Sequence, residues 1–251
     1  MLAPQIYSST ARKIQFQVCF YHSNESSTSL LDRISSFLAF KADKVIAWFE
    51  DNAQDYTKIV DQCKYMEVVK FSAKILKETL KNEGFSDKVE TLQFLDIGCG
   101  SGFATTSVAF DNEIKGDFDG MDPCGGLLQQ AADKNIYRKL EKAKVDENPI
   151  PFGSSAYDVV LCFGAIAKGY IKVCDFLREI TRVLKPGGIA VYTISYSLDR
   201  GKAMAEHAPY ISEGQLDLLK IEQTFYQQNE GKGVNGHVYV VKKNWIVFLE
   251  I

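Results

Sequence analysis

Two textures divide the chain. From Leu30 to Leu80 apolar residues recur at three- and four-residue spacing: Leu30, Ile34, Phe37 and Leu38, then Val45, Ile46 and Phe49. That spacing puts them on one face of a helix and predicts amphipathic helices. A second such stretch runs from Tyr56 to Leu80, with Asn82-Glu83-Gly84 as its stop. From Thr91 short apolar runs alternate with helical patterns. Strands are predicted at Leu92–Asp96, Asp117–Asp122, Leu140–Val145, Tyr157–Phe163 and Gly188–Ser195. Helices are predicted between them at Phe103–Phe110, Gly126–Asn135 and Ile171–Leu184. Such alternation argues for βαβ units and a parallel sheet, with helices on both faces. Near the end, Leu218–Tyr226 and His237–Lys242 read as an antiparallel hairpin across the glycine-rich Asn229 to Gly236. Asn244 to Ile251 is apolar enough for an extra edge strand or a packing tail. The expected fold class is therefore α/β: a seven-stranded sheet, mostly parallel with a C-terminal antiparallel hairpin, behind a helical N-terminal extension. Residues 1–29 are expected to be a flexible tail, 30–90 a helical segment and 91–251 the core.

Composition narrows the picture. The chain has 251 residues, 46% hydrophobic and 24% charged, which suits a globular domain with a sizeable core. A net charge of −3 offers no general attraction for phosphate backbones, which argues against nucleic acid as a partner. No apolar run approaches the roughly 20 residues that span a bilayer, so no membrane association is expected. Six cysteines without a C-x-x-C pair and three dispersed histidines lack the close spacing of a zinc site, and no metal is expected. Free thiols of this kind fit a reducing, intracellular compartment, read as cytoplasmic. Arg12, Lys13, several serines and no acid before Glu25 also fit a mitochondrial presequence.

Chemistry concentrates after the first strand. Leu92 to Gly102 reads L-Q-F-L-D-I-G-C-G-S-G, with glycines at 98, 100 and 102. A buried strand ending in such a loop can bring bare backbone against a ligand. Dinucleotide sites favour G-x-G-x-x-G, but here the third glycine comes one position early and Phe103 takes the expected slot. A dinucleotide site and a structural tight turn stay open as alternatives. Asp122 closes the second strand 20 residues after Gly102, where a carboxylate can accept from both ribose hydroxyls, or can cap a helix before Pro123. Downstream, Val145-Asp146 precedes Pro149-Ile150-Pro151-Phe152 and Tyr157-Asp158-Val159-Val160-Leu161. Arg182-Val183-Leu184-Lys185-Pro186-Gly187-Gly188 follows, in which proline stops a helix and two glycines permit a tight reversal.

These segments, in this order, resemble the motifs of class I S-adenosylmethionine-dependent methyltransferases, a Rossmann-like fold. From Phe118 to Gly188, with G-M-D-P-C-G-G-L-L-Q-Q-A and D-V-V-L-C-F-G-A-I, the chain looks like the Williams–Beuren syndrome region methyltransferase-like family. The likeness covers roughly residues 48–195. It implies S-adenosylmethionine as cofactor and residues 30–90 as helices capping its site. It implies that Asp96, Gly98, Gly100 and Gly102 hold the methionine portion and Asp122 the ribose. It places Met121 or Pro123 against the adenine, Val145 and Asp146 at the adenine edge, and Phe163-Gly164 beneath the sulfonium. Tyr56 becomes a lid residue or an ordinary helix aromatic. The implied reaction is methyl transfer to a small-molecule or protein acceptor; a cofactor-binding regulatory or scaffold protein is the competing reading.

Methyl transfer from a sulfonium has a good leaving group, so alignment and exclusion of water suffice and no dedicated nucleophile is needed. The catalytic residues are left unassigned. His207 and His237 are the remaining candidate bases; His207, after the fifth strand, could line a pocket with its neighbours Glu206 and Tyr210, or all three are surface residues of a connecting helix. Lys168 reads as a solvated cap lysine, and Cys99 and Cys162 as core packing.

Overall fold

A computed structural model of the chain describes residues 42–62, 64–85, 91–111, 113–146, 148–167, 170–195, 198–229 and 232–245. The tail, the expected helix from Leu30, Lys168 and most of the apolar C-terminal segment lie outside the described residues.

The apolar runs expected as strands form one sheet. Its strands are β1 (Gln93–Ile97), β2 (Asp117–Asp122), β3 (Tyr137–Lys142), β4 (Tyr157–Ile166), β5 (Leu184–Ser195), β6 (Leu216–Asn229) and β7 (Lys232–Lys243). Among the described residues the order is β3-β2-β1-β4-β5-β7-β6. Strands β1 to β5 pair in parallel, while β7 pairs antiparallel with β5 and β6. Strand order reverses direction between β1 and β4, which is where open α/β sheets hold their ligands.

Both faces are covered. Leu95, Ile97, Val160 and Cys162 on one face join a buried cluster with Phe176, Leu177 and Ile180 of helix α6 (Val173–Val183). Phe94, Val159 and Leu161 on the other face pack with Val69, Ala73 and Leu76 of helix α3 (Met66–Asn82). Alternation of side chains along a strand explains this division. Each fully buried aliphatic side chain contributes about 1.5–3 kcal/mol. The other helices are α1 (Ala42–Asp51), α2 (Tyr56–Gln62), α4 (Phe103–Thr106), α5 (Gly125–Asp133) and α7 (Arg200–Ser212).

Several boundaries differ from the sequence expectation, the hairpin link Asn229–Gly236 among them, since β6 runs to Asn229 and β7 starts at Lys232. The stretch Tyr56 to Leu80 is two helices, because Lys64 takes a left-handed φ of 51° and turns the chain. Strand β3 starts at Tyr137 and ends at Lys142, so Ala143–Asp146 leaves the sheet and becomes a loop. Strand β5 begins at Leu184, opposite Tyr157, and pairing resumes at Ile189 opposite Val159. The intervening Lys185–Gly188 bulges from the ladder, with Gly187 at φ 78°.

Candidate cofactor site

The loop after β1 is tied to the end of β2. The backbone N–H groups of Gly98 and Cys99 both donate to the Met121 carbonyl, at 2.8 and 3.0 Å. Gly100 N donates to Asp122 Oδ2 at 3.0 Å, and Cys124 N donates to Asp122 Oδ1 at 2.9 Å. Asp122 thus holds the glycine loop with one oxygen and its own turn with the other. Gly98, Gly100 and Gly102 all have positive φ, at 74°, 52° and 75°. At Gly98 a Cβ would lie 2.5 Å from the Ala165 Cβ, so glycine is demanded by space as well as by conformation.

Beside this loop opens a cleft of about 290 Å³, near the lower end of the roughly 300–1,000 Å³ of small-molecule sites. Ile97, Gly98, Met121 and Pro123 form its floor, the loop Ala143–Asp146 one wall, and Tyr170–Lys172 another. Ile46 of α1 lines it as well. The Asp146 carbonyl accepts from Arg178 on α6, which fixes this wall to the core.

Of the residues implied by the motifs, Gly98, Pro123, Val145 and Asp146 line the cleft, with Asp122 next to Met121 and Pro123. Tyr56 lies over the glycine loop, its hydroxyl 3.5 Å from where a Gly100 Cβ would be. Asp96 does not line the cleft: it is buried beneath the loop and accepts from the hydroxyls of Thr105 and Tyr137. Gly102 caps α4 and faces Tyr137, whose ring a Cβ there would approach to 3.0 Å. Phe163 packs with Leu161 and Phe94 on the opposite face of the sheet, and its neighbour Gly164 lies against the Tyr65 ring. Ile46, Tyr65 and Tyr170 carried no sequence signal beyond helical spacing or an isolated aromatic.

Burial pushes Asp96 and Asp122 up to about 6, partly offset by the hydrogen bonds each accepts. Raised carboxylates stabilise the fold while protonated. That contribution is therefore present below the ordinary value near 4 and lost as pH rises through about 6. Burial also pushes the Cys99 and Cys162 thiols up, so neither is a thiolate at neutral pH. Among the described residues no group of three or more His, Cys, Asp or Glu could hold a metal ion, and no helix is long and apolar enough to cross a membrane.

His207 is not on the surface of its helix. It is 1% exposed and stacks against both Tyr192 and Tyr239, whose rings also stack on each other. Its Nδ1 lies 2.6 Å from the Ala203 carbonyl, which can only accept, so Nδ1 carries the proton and Nε2 accepts from the Tyr192 hydroxyl. Both ring nitrogens are committed. Tyr192→Phe is expected to orphan Nε2 and lower stability by about 1–3 kcal/mol, leaving cofactor affinity unchanged; melting and calorimetry check both parts. Burial also lowers the His207 pKa, so its contribution to stability is lost as pH falls below its ordinary value.

The residues present suit S-adenosylmethionine. Bare left-handed backbone, an acid on the loop and an apolar floor can serve an amino-acid moiety, a ribose and an adenine in turn. Residues 95–192 match the family model described as a methyltransferase domain. That stretch runs from β1 into β5. The sheet order and terminal hairpin are those of the class I methyltransferase fold.

Among curated proteins, human methyltransferase-like protein 27 is 29% identical over 99 residues, 39% of this chain and 39% of its own length. A Caenorhabditis elegans sterol 4-C-methyltransferase is 30% identical over 146 residues, 55% of this chain and 43% of its own length. The chain thus spans about two-fifths of the relatives it matches. Among solved structures, Synechocystis magnesium protoporphyrin IX methyltransferase with bound cofactor superposes with a TM-score of 0.57 at 11% identity, covering 87% of this chain and 100% of its own. A chain of the complex between the Haloferax volcanii Trm112 methyltransferase activator and a methyltransferase also gives 0.57, at 16% identity, covering 78% and 98%. These two likenesses show the fold.

Proposed function

We propose that this protein transfers a methyl group from S-adenosylmethionine to a small-molecule or protein acceptor. The observation that carries the reading is the three-glycine loop, tied to Asp122 and opening on the cleft between β1, β2 and the loop after β3. When bound, the cofactor supplies an electrophilic methyl on a sulfonium. The chain's own residues bind, orient and exclude water. In this reading Gly98, Gly100 and Gly102 serve the methionine portion by backbone approach, and Asp96 holds their loop from below through Thr105 and Tyr137. Asp122 keeps acceptor capacity for the ribose hydroxyls, since a carboxylate has about four lone-pair sites and two are used. Pro123, Val145 and Asp146 serve the adenine. Tyr56 and the helices before β1 act as the cover.

His207, with both nitrogens committed, is not the base; rate acceleration comes from alignment in a site closed to water. Incubation with methyl-labelled cofactor and cell extract tests the reaction. A labelled acceptor that disappears with an Asp122→Ala variant supports transfer. Tight cofactor binding without any labelled acceptor would favour a regulatory role.

Protonation gives a second test. The ammonium of the cofactor favours ionised Asp96 and Asp122, both raised to about 6 in the free protein. Binding at pH 6 is expected to release protons, and the release is expected to shrink as pH rises to 7. Calorimetry in buffers of different ionisation enthalpy reads this directly.

A further inference from the structure

Glu50, near the end of α1, reaches across to the core. Its Oε1 accepts from Gly125 N at 2.7 Å and from Lys142 Nζ at 3.0 Å, and its Oε2 accepts from Gly126 N at 2.9 Å. One carboxylate therefore takes the first two amides of α5 and the ammonium at the end of β3. Those amides have no partner inside their helix, and the positive end of the helix dipole favours an anion there. A helix usually supplies such a group from its own N-cap. Here the N-cap is Cys124, which makes no side-chain cap bond, and the acceptor comes from a segment 75 residues earlier.

The surrounding contacts are built to the same docking. At Gly126 a Cβ would lie 2.8 Å from the Ala53 Cβ, so the turn after α1 sits directly on α5. Gln130 Nε2 donates to the Ala53 carbonyl at 2.6 Å. Ala53, Cys124 and Leu127 are buried together under Phe49 and Tyr56.

We infer that Glu50 is the clasp that seats the N-terminal helices on the cofactor cleft and holds the turn following Asp122, so that it positions the cofactor and governs its release. This rests on the cofactor reading above. Ile46, four residues before Glu50 and one helical turn away, is part of the cleft wall, so the ligand leaves when α1 lifts. Cys124, whose N–H binds Asp122, directly precedes the two amides Glu50 holds. The amides of Gly126 and Gly125, then Lys142, hold the Glu50 carboxyl down to about 2, and the clasp stays charged at physiological pH.

Two readouts test it on the full chain. Hydrogen exchange without ligand is followed at Gly125, Gly126 and α1, and dissociation of S-adenosylhomocysteine is followed by stopped flow. In Glu50→Gln, exchange at those sites is expected to rise while β1 and β4 stay protected, and dissociation to become about 10-fold faster, the equivalent of about 1.4 kcal/mol. Lys142→Met should shift both in the same direction by less. Unchanged local exchange in Glu50→Gln, or exchange raised equally through β1 and β4, would overturn the clasp. If the wild type binds no S-adenosylhomocysteine, the cofactor reading fails, and the exchange measurement still decides the clasp.

Discussion

Gly98→Ala is expected to abolish cofactor binding and to lower stability by about 2–5 kcal/mol. The backbone at Gly98 has φ 74°, and a left-handed alanine costs roughly 1–2 kcal/mol. The added methyl would also lie 2.5 Å from the Ala165 Cβ, at the junction of β1 and β4. Overpacking of that kind adds typically about 1–3 kcal/mol. Gly84→Ala separates the two contributions. Gly84 has nearly the same φ, 73°, and no described atom within 4 Å of its would-be Cβ, so only the conformational cost applies. Thermal melts of the two variants should differ by the packing share, and calorimetry should find binding intact in Gly84→Ala alone. Equal melting losses would mean that the β1–β4 junction yields to a methyl group and that the loop is less tightly built than its geometry indicates.

The second large effect is expected at Asp122. It is buried, and Asp122→Ala removes the acceptor of both Gly100 N and Cys124 N. Each orphaned buried amide costs about 1–3 kcal/mol. Loss of the charged acceptor for the ribose should weaken cofactor binding a further 10- to 100-fold, about 1.5–3 kcal/mol. Asp122→Asn retains one carbonyl oxygen and should fall between the wild type and alanine in both stability and affinity. A fold stability that is unaffected by Asp122→Ala would show that water replaces the carboxylate at the loop.

The sheet was readable because its central strands are short apolar runs, several of them ending at glycine or proline punctuation. Tyr157–Phe163 is an apolar run that only a doubly covered strand needs. The loop from Gly98 to Gly102 was readable for the same reason: left-handed backbone selects glycine visibly. The break at Lys64 was not, because a left-handed lysine leaves no such mark. Strand β3 was shifted because its sequence, Tyr-Arg-Lys-Leu-Glu-Lys, is that of a polar edge strand whose alternation is weak. Asp96 illustrates a subtler limit. Its position in the motif was legible, but only the fold shows it bound to Thr105 and Tyr137, forty-one residues away in the latter case. Glu50 was invisible for the opposite reason. On a helix it reads as one more solvated acid, and its partners are backbone amides, which carry no residue signature.

The most direct test of the account is titration of S-adenosylhomocysteine and S-adenosylmethionine into the wild type and Asp122→Ala at neutral pH. One site per chain is expected in the wild type, with affinity lost or strongly weakened in the variant. Absence of binding of both ligands at high micromolar concentration, or equal binding by wild type and variant, would contradict it.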